Sequence, residues 1–418
     1  AKPAQAVPSM ARQTGMQCSA CHTVFPELTP FGRQFKLRGF TMGAALDDRR
    51  FPANLPLAGV AQVSITRTDA RTPAGSEALE RDRETIVQAA GFYYGGKITD
   101  RIGALVQYTY DGVERATAVE MVDVRFADEA TLGGRGMVYG VTLNNAPTLA
   151  DIYNSTPMWA FPHVEAAGAM VPATLVDMEL AAQVGGLGAY AMWNDRVYVE
   201  IAGYRTAARG LLRPLHAGVP IERRVEGTAP YWRVAWQHEA GIHSAAVGTF
   251  GLVAKLRPED ATAGTGTDRY RDVGLDAQYQ YLAEPVSFTT TAAWIDERQS
   301  LRASAALGEA DRQRGTLRSF RWNAHVTYRR RVALGLGYFS VYGGPDAARF
   351  DTGEPFEGSV RARPDTRGGL AELALLPRQD LKFVVRRTAF TRYNGARRDY
   401  DGFGRDAADN DSWYLLAW

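Results

Sequence analysis

The chain has 418 residues but only two cysteines, Cys18 and Cys21. A disulfide framework is therefore excluded, and so is any metal site built on two cysteine pairs. Long hydrophobic runs are missing as well: no stretch approaches the roughly 18 uncharged apolar residues that cross a bilayer as a helix. If the chain spans a membrane, it does so as strands, because only helices and closed barrels satisfy the backbone in lipid. Charge of one sign is scarce too, with 48 Lys and Arg against 46 Asp and Glu. Residues 1–50 hold seven basic and three acidic side chains, which leaves 41 against 43 in the rest. Neither part is basic or clustered enough for a nucleic-acid surface. What the chain does have is 45% apolar and 11% aromatic residues, which excludes disorder. Ala1-Lys2-Pro3-Ala4-Gln5-Ala6 reads as the start of a mature exported protein.

The two cysteines are placed with a purpose. Cys18-Ser19-Ala20-Cys21-His22 has the C-x-x-C-H spacing of covalent c-type haem attachment. Positions i, i+3 and i+4 share one face of a helical turn, so both thiols reach the macrocycle while His22 turns toward the iron as proximal ligand. A thioredoxin-type dithiol would lie in a βαβ unit, and none is legible; a zinc site would need two further ligands.

The flanks suggest a pocket. Thr29 and Pro30 predict a helix start and Gly39 a stop, so residues 31–38 form one short helix with Phe31 and Phe35 on the same face. Phe25, Phe31 and Phe35 are candidates for apolar cover of the haem, or form a small core stripe. Arg33, Lys36 and Arg38 are candidates for its propionates, or a solvated basic face. For the distal iron position the candidates are Met10, Met16, Met42, Met158 and His163, with His325 weaker and His216, His238 and His243 read as structural. About 50 residues bury too little surface to enclose a haem alone, so the rest of the chain must supply a second wall.

That remainder alternates with period two. Val273, Leu275, Ala277, Tyr279 and Tyr281 face one way; Gly274, Asp276, Gln278 and Gln280 face the other. Phe320, Trp322, Ala324, Val326 and Tyr328 alternate likewise with Arg321, Asn323, His325 and Thr327. About 16 strand candidates begin near residues 57, 85, 100, 120, 135, 178, 196, 230, 241, 270, 285, 316, 331, 367, 380 and 411. Tight turns alternate with long polar loops, as in an outer-membrane barrel and not in a sandwich. Trp232, Trp236, Trp294 and Trp322 are expected near strand ends, at a membrane interface. The expected architecture is an all-β transmembrane antiparallel barrel, residues 51–418, with residues 1–50 as a haem-bearing plug entering from the periplasm.

The connection at about 144–177 is the longest, and it is apolar and proline-rich without Lys or Arg. It is expected to fold into the lumen over the haem. The last two long loops hold ten acids, Asp346, Asp351, Glu354, Glu357 and Asp365 with Asp399, Asp401, Asp406, Asp409 and Asp411, against six Arg. Hard carboxylate oxygens suit Fe²⁺, although a solvated loop face accounts for them equally well.

Ala6-Val7-Pro8-Ser9, Ala11-Arg12-Gln13-Thr14-Gly15-Met16, the C-x-x-C-H, Phe25-Pro26-Glu27-Leu28 and Phe31-Gly32-Arg33-Gln34-Phe35-Lys36 resemble the N-terminus of the fused monohaem cytochrome–porins. These are outer-membrane iron(II) oxidases of iron-oxidising bacteria. Asn145-Ala146-Pro147 and Thr156-Pro157-Met158-Trp159-Ala160-Phe161-Pro162 are similar to elements of the same family. The resemblance implies one haem held by Cys18, Cys21 and His22 inside a porin. It also implies an iron(II):cytochrome c oxidoreductase activity, with extracellular Fe(II) as donor and a periplasmic c-type cytochrome or another soluble carrier as acceptor. Two rivals stand beside it: a conduit for another extracellular donor or acceptor, and a diffusion porin whose haem plug is structural. Porins of this strand number are often trimers, which leaves a homotrimer in outer-membrane lipid open.

Overall fold

The computed structural model describes residues 8–25, 27–43, 55–69, 82–112, 115–155, 172–207, 224–258, 261–262, 264–378 and 380–418. Met158, His163 and His216 lie outside them. The strands are Leu57–Thr68 (β1), Thr85–Lys97 (β2), Ile102–Asp111 (β3), Ala116–Leu132 (β4), Arg135–Asn144 (β5), Val184–Trp193 (β6), Val197–Thr206 (β7), Arg224–Val225 (β8), Ala229–Ala240 (β9), His243–Arg257 (β10), Asp268–Leu282 (β11), Val286–Ser300 (β12), Arg314–Tyr328 (β13), Val332–Gly343 (β14), Thr366–Arg378 (β15), Leu381–Arg392 (β16) and Ser412–Ala417 (β17). Apart from the two-residue β8, which sits in a loop, each pairs antiparallel with the next, β7 with β9 across that loop. β1 pairs with both β2 and β17, so the sheet closes into a barrel of sixteen long strands and leaves no free edge.

The expected starts fall within a few residues of these, except that β6 begins at Val184 and not near residue 178. Leu175, Val176 and Leu180 there belong to a turn of the long loop and are buried against the lumen wall. On one rim the strands are joined by two to four residues. Gly133-Gly134 and Asn194-Asp195 make two of these turns with positive φ at both positions, the backbone that a tight hairpin demands. The other rim carries the long connections, with 112–115 a short exception between β3 and β4.

The barrel is inside out by the standards of a water-soluble core. Phe92, Leu187, Ile201, Leu334 and Leu336 point outward and are well exposed, whereas Asp123, Arg125, Arg233 and Gln280 point inward and are buried. An apolar exterior of this extent suits lipid. Outward aromatics form two tiers. Trp193, Tyr279 and Tyr328 stand within a few residues of the short turns, and Trp232, Trp294 and Phe320 eight residues further along their strands. Eight residues at about 3.3 Å each on a strand tilted about 40° climb ~20 Å, close to the roughly 25 Å apolar band of such barrels. The expectation of tryptophans at strand ends holds for Trp232, the fourth residue of β9, and is corrected for Trp236, Trp294 and Trp322. These lie within their strands, Trp294 and Trp322 because β12 and β13 run on past the apolar band toward the long loops.

Residues 8–43 fill the short-turn end of the lumen with three short helices, Pro8–Thr14 (α1), Cys18–Cys21 (α2) and Pro30–Leu37 (α3). The hydroxyl of Thr29 accepts from the Gly32 amide, Pro30 opens α3, and Gly39 at φ +65 ends the turn that follows it. The described parts of the connection between β5 and β6, 145–155 and 172–183, fold inward; the apolar stretch 156–162 lies outside the described residues. Asp151, Ile152 and Tyr153 are buried, and the amides of Leu175 and Val176 donate to Glu297 and Asp272 on the wall.

Candidate functional site

Cys18 and Cys21 stand one turn apart on α2, half-exposed at the short-turn mouth, and no disulfide joins them. His22 follows at the end of α2, where its amide donates to the Cys18 carbonyl at 3.0 Å. Burial pushes the Cys21 thiol up to about 11, the opposite of the stabilised thiolate in a redox dithiol.

Two residues of α3 brace this turn. Thr29 donates its hydroxyl to the Ala20 carbonyl at 2.5 Å, and its amide donates to the Cys21 carbonyl at 2.9 Å. Gly32 packs directly on the motif: a Cβ there would run into the Cys21 carbonyl oxygen. The motif's backbone is thereby fixed. This local cradle fits covalent haem attachment, with Cys18 and Cys21 as thioether residues and His22 as the proximal ligand.

Of the expected aromatic cover, Phe25 lies nearest the motif. Its ring is 5.1 Å from the His22 ring and meets the ring of Trp418, the last residue, edge-on at 5.1 Å. Phe35 is buried but packs on Phe40, while Phe31 is half-buried. Met10 is half-buried on α1, Met42 is half-buried after α3, and Met16 is exposed.

The basic side chains expected at the propionates are engaged elsewhere, a correction the lumen explains. Arg33 is almost wholly buried and donates to Gln278, Gln280, Ser244 and Glu239 on the barrel wall. Lys36 donates to the Asp151 carbonyl at 2.6 Å and to Asn154 at 2.9 Å, both in the inner loop. Arg38 pairs with Glu129. A buried cation must be compensated by dipoles or charge, and the wall supplies both.

Beneath α3 the inner loop is tied down by Arg233 of β9, which lies 3.3 Å from Asp151 and donates to Asp276 at 2.6 Å. Burial pushes Asp151 up, but Arg233 and Lys36 outweigh it and hold the carboxyl below its ordinary range. His325, expected to face the lumen, does so. Its Nδ1 lies 2.6 Å from Glu27, five residues past His22 in the chain. Sequence reasoning missed Glu27 as an anchor; its only signal was an acid in an otherwise apolar Phe25-Pro26-Glu27-Leu28 run.

The acids of the last two long loops are largely occupied in holding those loops. Asp401 accepts from the amides of Phe356, Phe403 and Arg405; Asp365 accepts from Gly343; Asp406 and Asp409 form a capping box. Among the described residues no three His, Cys, Asp or Glu side chains gather as a metal site.

No protein-family model matches the chain, and no curated protein does. Solved structures do show similarity. In-vitro folded OmpT, an outer membrane protein of Vibrio cholerae, is 9% identical, with 86% of this chain and 96% of that one covered and a TM-score of 0.44. OmpF of Salmonella typhi, solved with daunomycin, is 13% identical over 86% and 96%, TM-score 0.47. An anion-selective porin from Comamonas acidovorans is 10% identical over 86% and 98%, TM-score 0.41. The fold assignment itself rests on strand pairing and closure.

Proposed function

We propose that this chain is an outer-membrane electron conduit that takes one electron from iron(II) outside the cell and delivers it to a soluble periplasmic carrier, a c-type cytochrome being the expected partner. One observation carries this reading: Cys18, Cys21 and His22 share a turn, half-exposed at the short-turn mouth of a barrel whose wall turns buried polar side chains inward. Short turns of such barrels face the periplasm, so a soluble partner would have access to the motif there. A haem bonded through Cys18 and Cys21, with His22 toward its iron, would supply a one-electron acceptor at that mouth.

The chain's own residues position and seal. Thr29 and Gly32 hold the backbone of the motif, and Phe25 with Trp418 gives His22 an apolar flank. Arg33, Lys36 and Arg233 tie the plug and the described part of the inner loop to the wall, which favours a conduit over an open diffusion pore.

The test is direct. Purified oxidised protein in detergent is mixed with Fe²⁺ and the haem absorption followed. Rapid appearance of the reduced spectrum supports the reading. A spectrum that stays oxidised at a pH where iron(II) is sufficiently reducing removes iron as the donor, and a protein without a covalent haem removes the conduit altogether.

A further inference from the structure

Above the upper aromatic tier, the outward face of β10 to β13 carries an arrangement that neither the barrel nor the plug needs. Lys255 of β10 stands directly opposite Arg269 of β11, and one row below, Arg271 of β11 stands directly opposite Arg298 of β12. Like charges opposed across strands destabilise a sheet, and here two such pairs adjoin. Arg318 on β13 adds a fifth cation. All five side chains are exposed. Asp296 is the one carboxylate in the cluster, and it is shared: it lies 3.3 Å from the Arg298 Nε and 2.6 Å from the Arg318 Nε. No carboxylate among the described residues pairs with Arg269 or Arg271. Five cations against one anion leave the patch with a net charge of +4.

Arg271, Val273, Trp294, Asp296 and Arg298 also line a cleft of about 280 Å³ on this outer wall. Its position matters. Val273 and Trp294 belong to the apolar band, and the arginines stand on the next rows toward the long loops, so the cleft straddles the border between apolar and polar surface. An alkyl chain fits below that border and an anionic group above it.

We infer that this cleft binds the phosphorylated headgroup of a lipid in the membrane leaflet on the long-loop side. A phosphate between Arg271 and Arg298 would turn their repulsion into two charge-assisted hydrogen-bonded contacts, and the guanidinium fork matches its oxygens bidentately. Trp294 would pack against the first carbons of the acyl chain. The inference rests on the barrel's lying in a membrane and is independent of haem and iron.

The experiment uses the full chain in detergent micelles, with a phosphorylated lipid A-type glycolipid, its dephosphorylated counterpart and inorganic phosphate as probes. Binding is read by native mass spectrometry and by the thermal unfolding midpoint. The phosphorylated lipid is expected to bind best, and an Arg271→Gln, Arg298→Gln double variant to bind it more weakly by about fivefold per arginine. Arg135→Gln at the opposite rim removes the same kind of charge and should bind like the wild type. Rising salt should weaken wild-type binding, a readout that requires no variant to fold. Equal binding of the dephosphorylated lipid, a double variant that binds like wild type, or salt-independent binding overturns the inference. Full displacement of the lipid by millimolar inorganic phosphate overturns it as well, since it marks a site for a free ion.

Discussion

The Nδ1 of His325 lies 2.6 Å from the Oε1 of Glu27, a carboxylate with no exposed surface. Glu27 also accepts from the Thr23 hydroxyl at 2.9 Å, and Thr23 is bonded to Thr289 of β12. The segment just after the C-x-x-C-H motif is thus fastened to two strands of the wall through one buried acid. Replacing Glu27 by Leu leaves the His325 ring buried without its acceptor, at a cost of about 1–3 kcal/mol. Glu27→Gln keeps an acceptor and should lose less. Thermal unfolding midpoints of the two variants decide: equal midpoints would mean that the pair does not hold the plug.

Gly32 is the second fastening. A methyl group at this position meets the backbone oxygen of Cys21, so α3 or the motif has to move. Gly32→Ala is expected to cost about 1–3 kcal/mol as an overpacked contact. Because the displaced atoms belong to the C-x-x-C-H turn, the proposed haem attachment requires that the visible spectrum or the haem content per chain change too. Gln34→Ala, on the same helix, is the control and should change neither.

Arg33 makes four side-chain contacts with the barrel wall through two nitrogens, and burial pushes its guanidinium down from its ordinary range. Its removal leaves the wall's acceptors buried and unmatched, so Arg33→Ala should loosen the plug by about 3–5 kcal/mol. Lys offers a single point charge and not a planar fork, so Arg33→Lys should rescue poorly. In planar bilayers the alanine variant should show larger single-channel conductance than the wild type. Unchanged conductance in both would remove Arg33 as the plug's anchor.

Lys36 gives a pH signature. Burial, helped by nearby Arg125, pushes its ammonium from 10.5 down to about 8. The unfolded chain therefore binds more protons at this site between about pH 8 and 10.5, and stability must rise with pH across that window. Below pH 8 the whole cost of the buried charge is present. Lys36→Met should abolish this component, so the wild-type unfolding midpoint should rise relative to that of the variant from pH 8 to pH 10. A constant difference would show that Lys36 is protonated throughout.

Much of this molecule was legible as sequence because the relevant signals are local. The alternation in 273–281 and 320–328 correctly divides outward from inward side chains, since a strand turns its side chains over at every residue whatever its partners are, whereas Arg329 lies in the exposed turn beyond β13. The helix start at Thr29 and Pro30 was readable for the same reason, as a cap needs only its own first turn. The roles of Arg33 and Lys36 were not readable. A cation facing a haem edge and a cation facing the lumen have the same sequence, and only the wall and inner-loop residues, more than a hundred positions away, distinguish them. Asp401 and Asp406 looked like free loop acids because turn capping depends on backbone direction.

By itself the sequence determined what covalent and nearest-neighbour chemistry decides: two thiols and an imidazole on one turn, a ladder of alternating strands, short turns against long loops. The tertiary structure decided everything that depends on closure and register. It brought Trp418 onto Phe25, His325 onto Glu27 across nearly 300 residues, and Arg271 opposite Arg298. The physical reason is that a strand's side-chain pattern sets which face is wet but leaves its neighbours open, and only closure of the whole sheet sets the register.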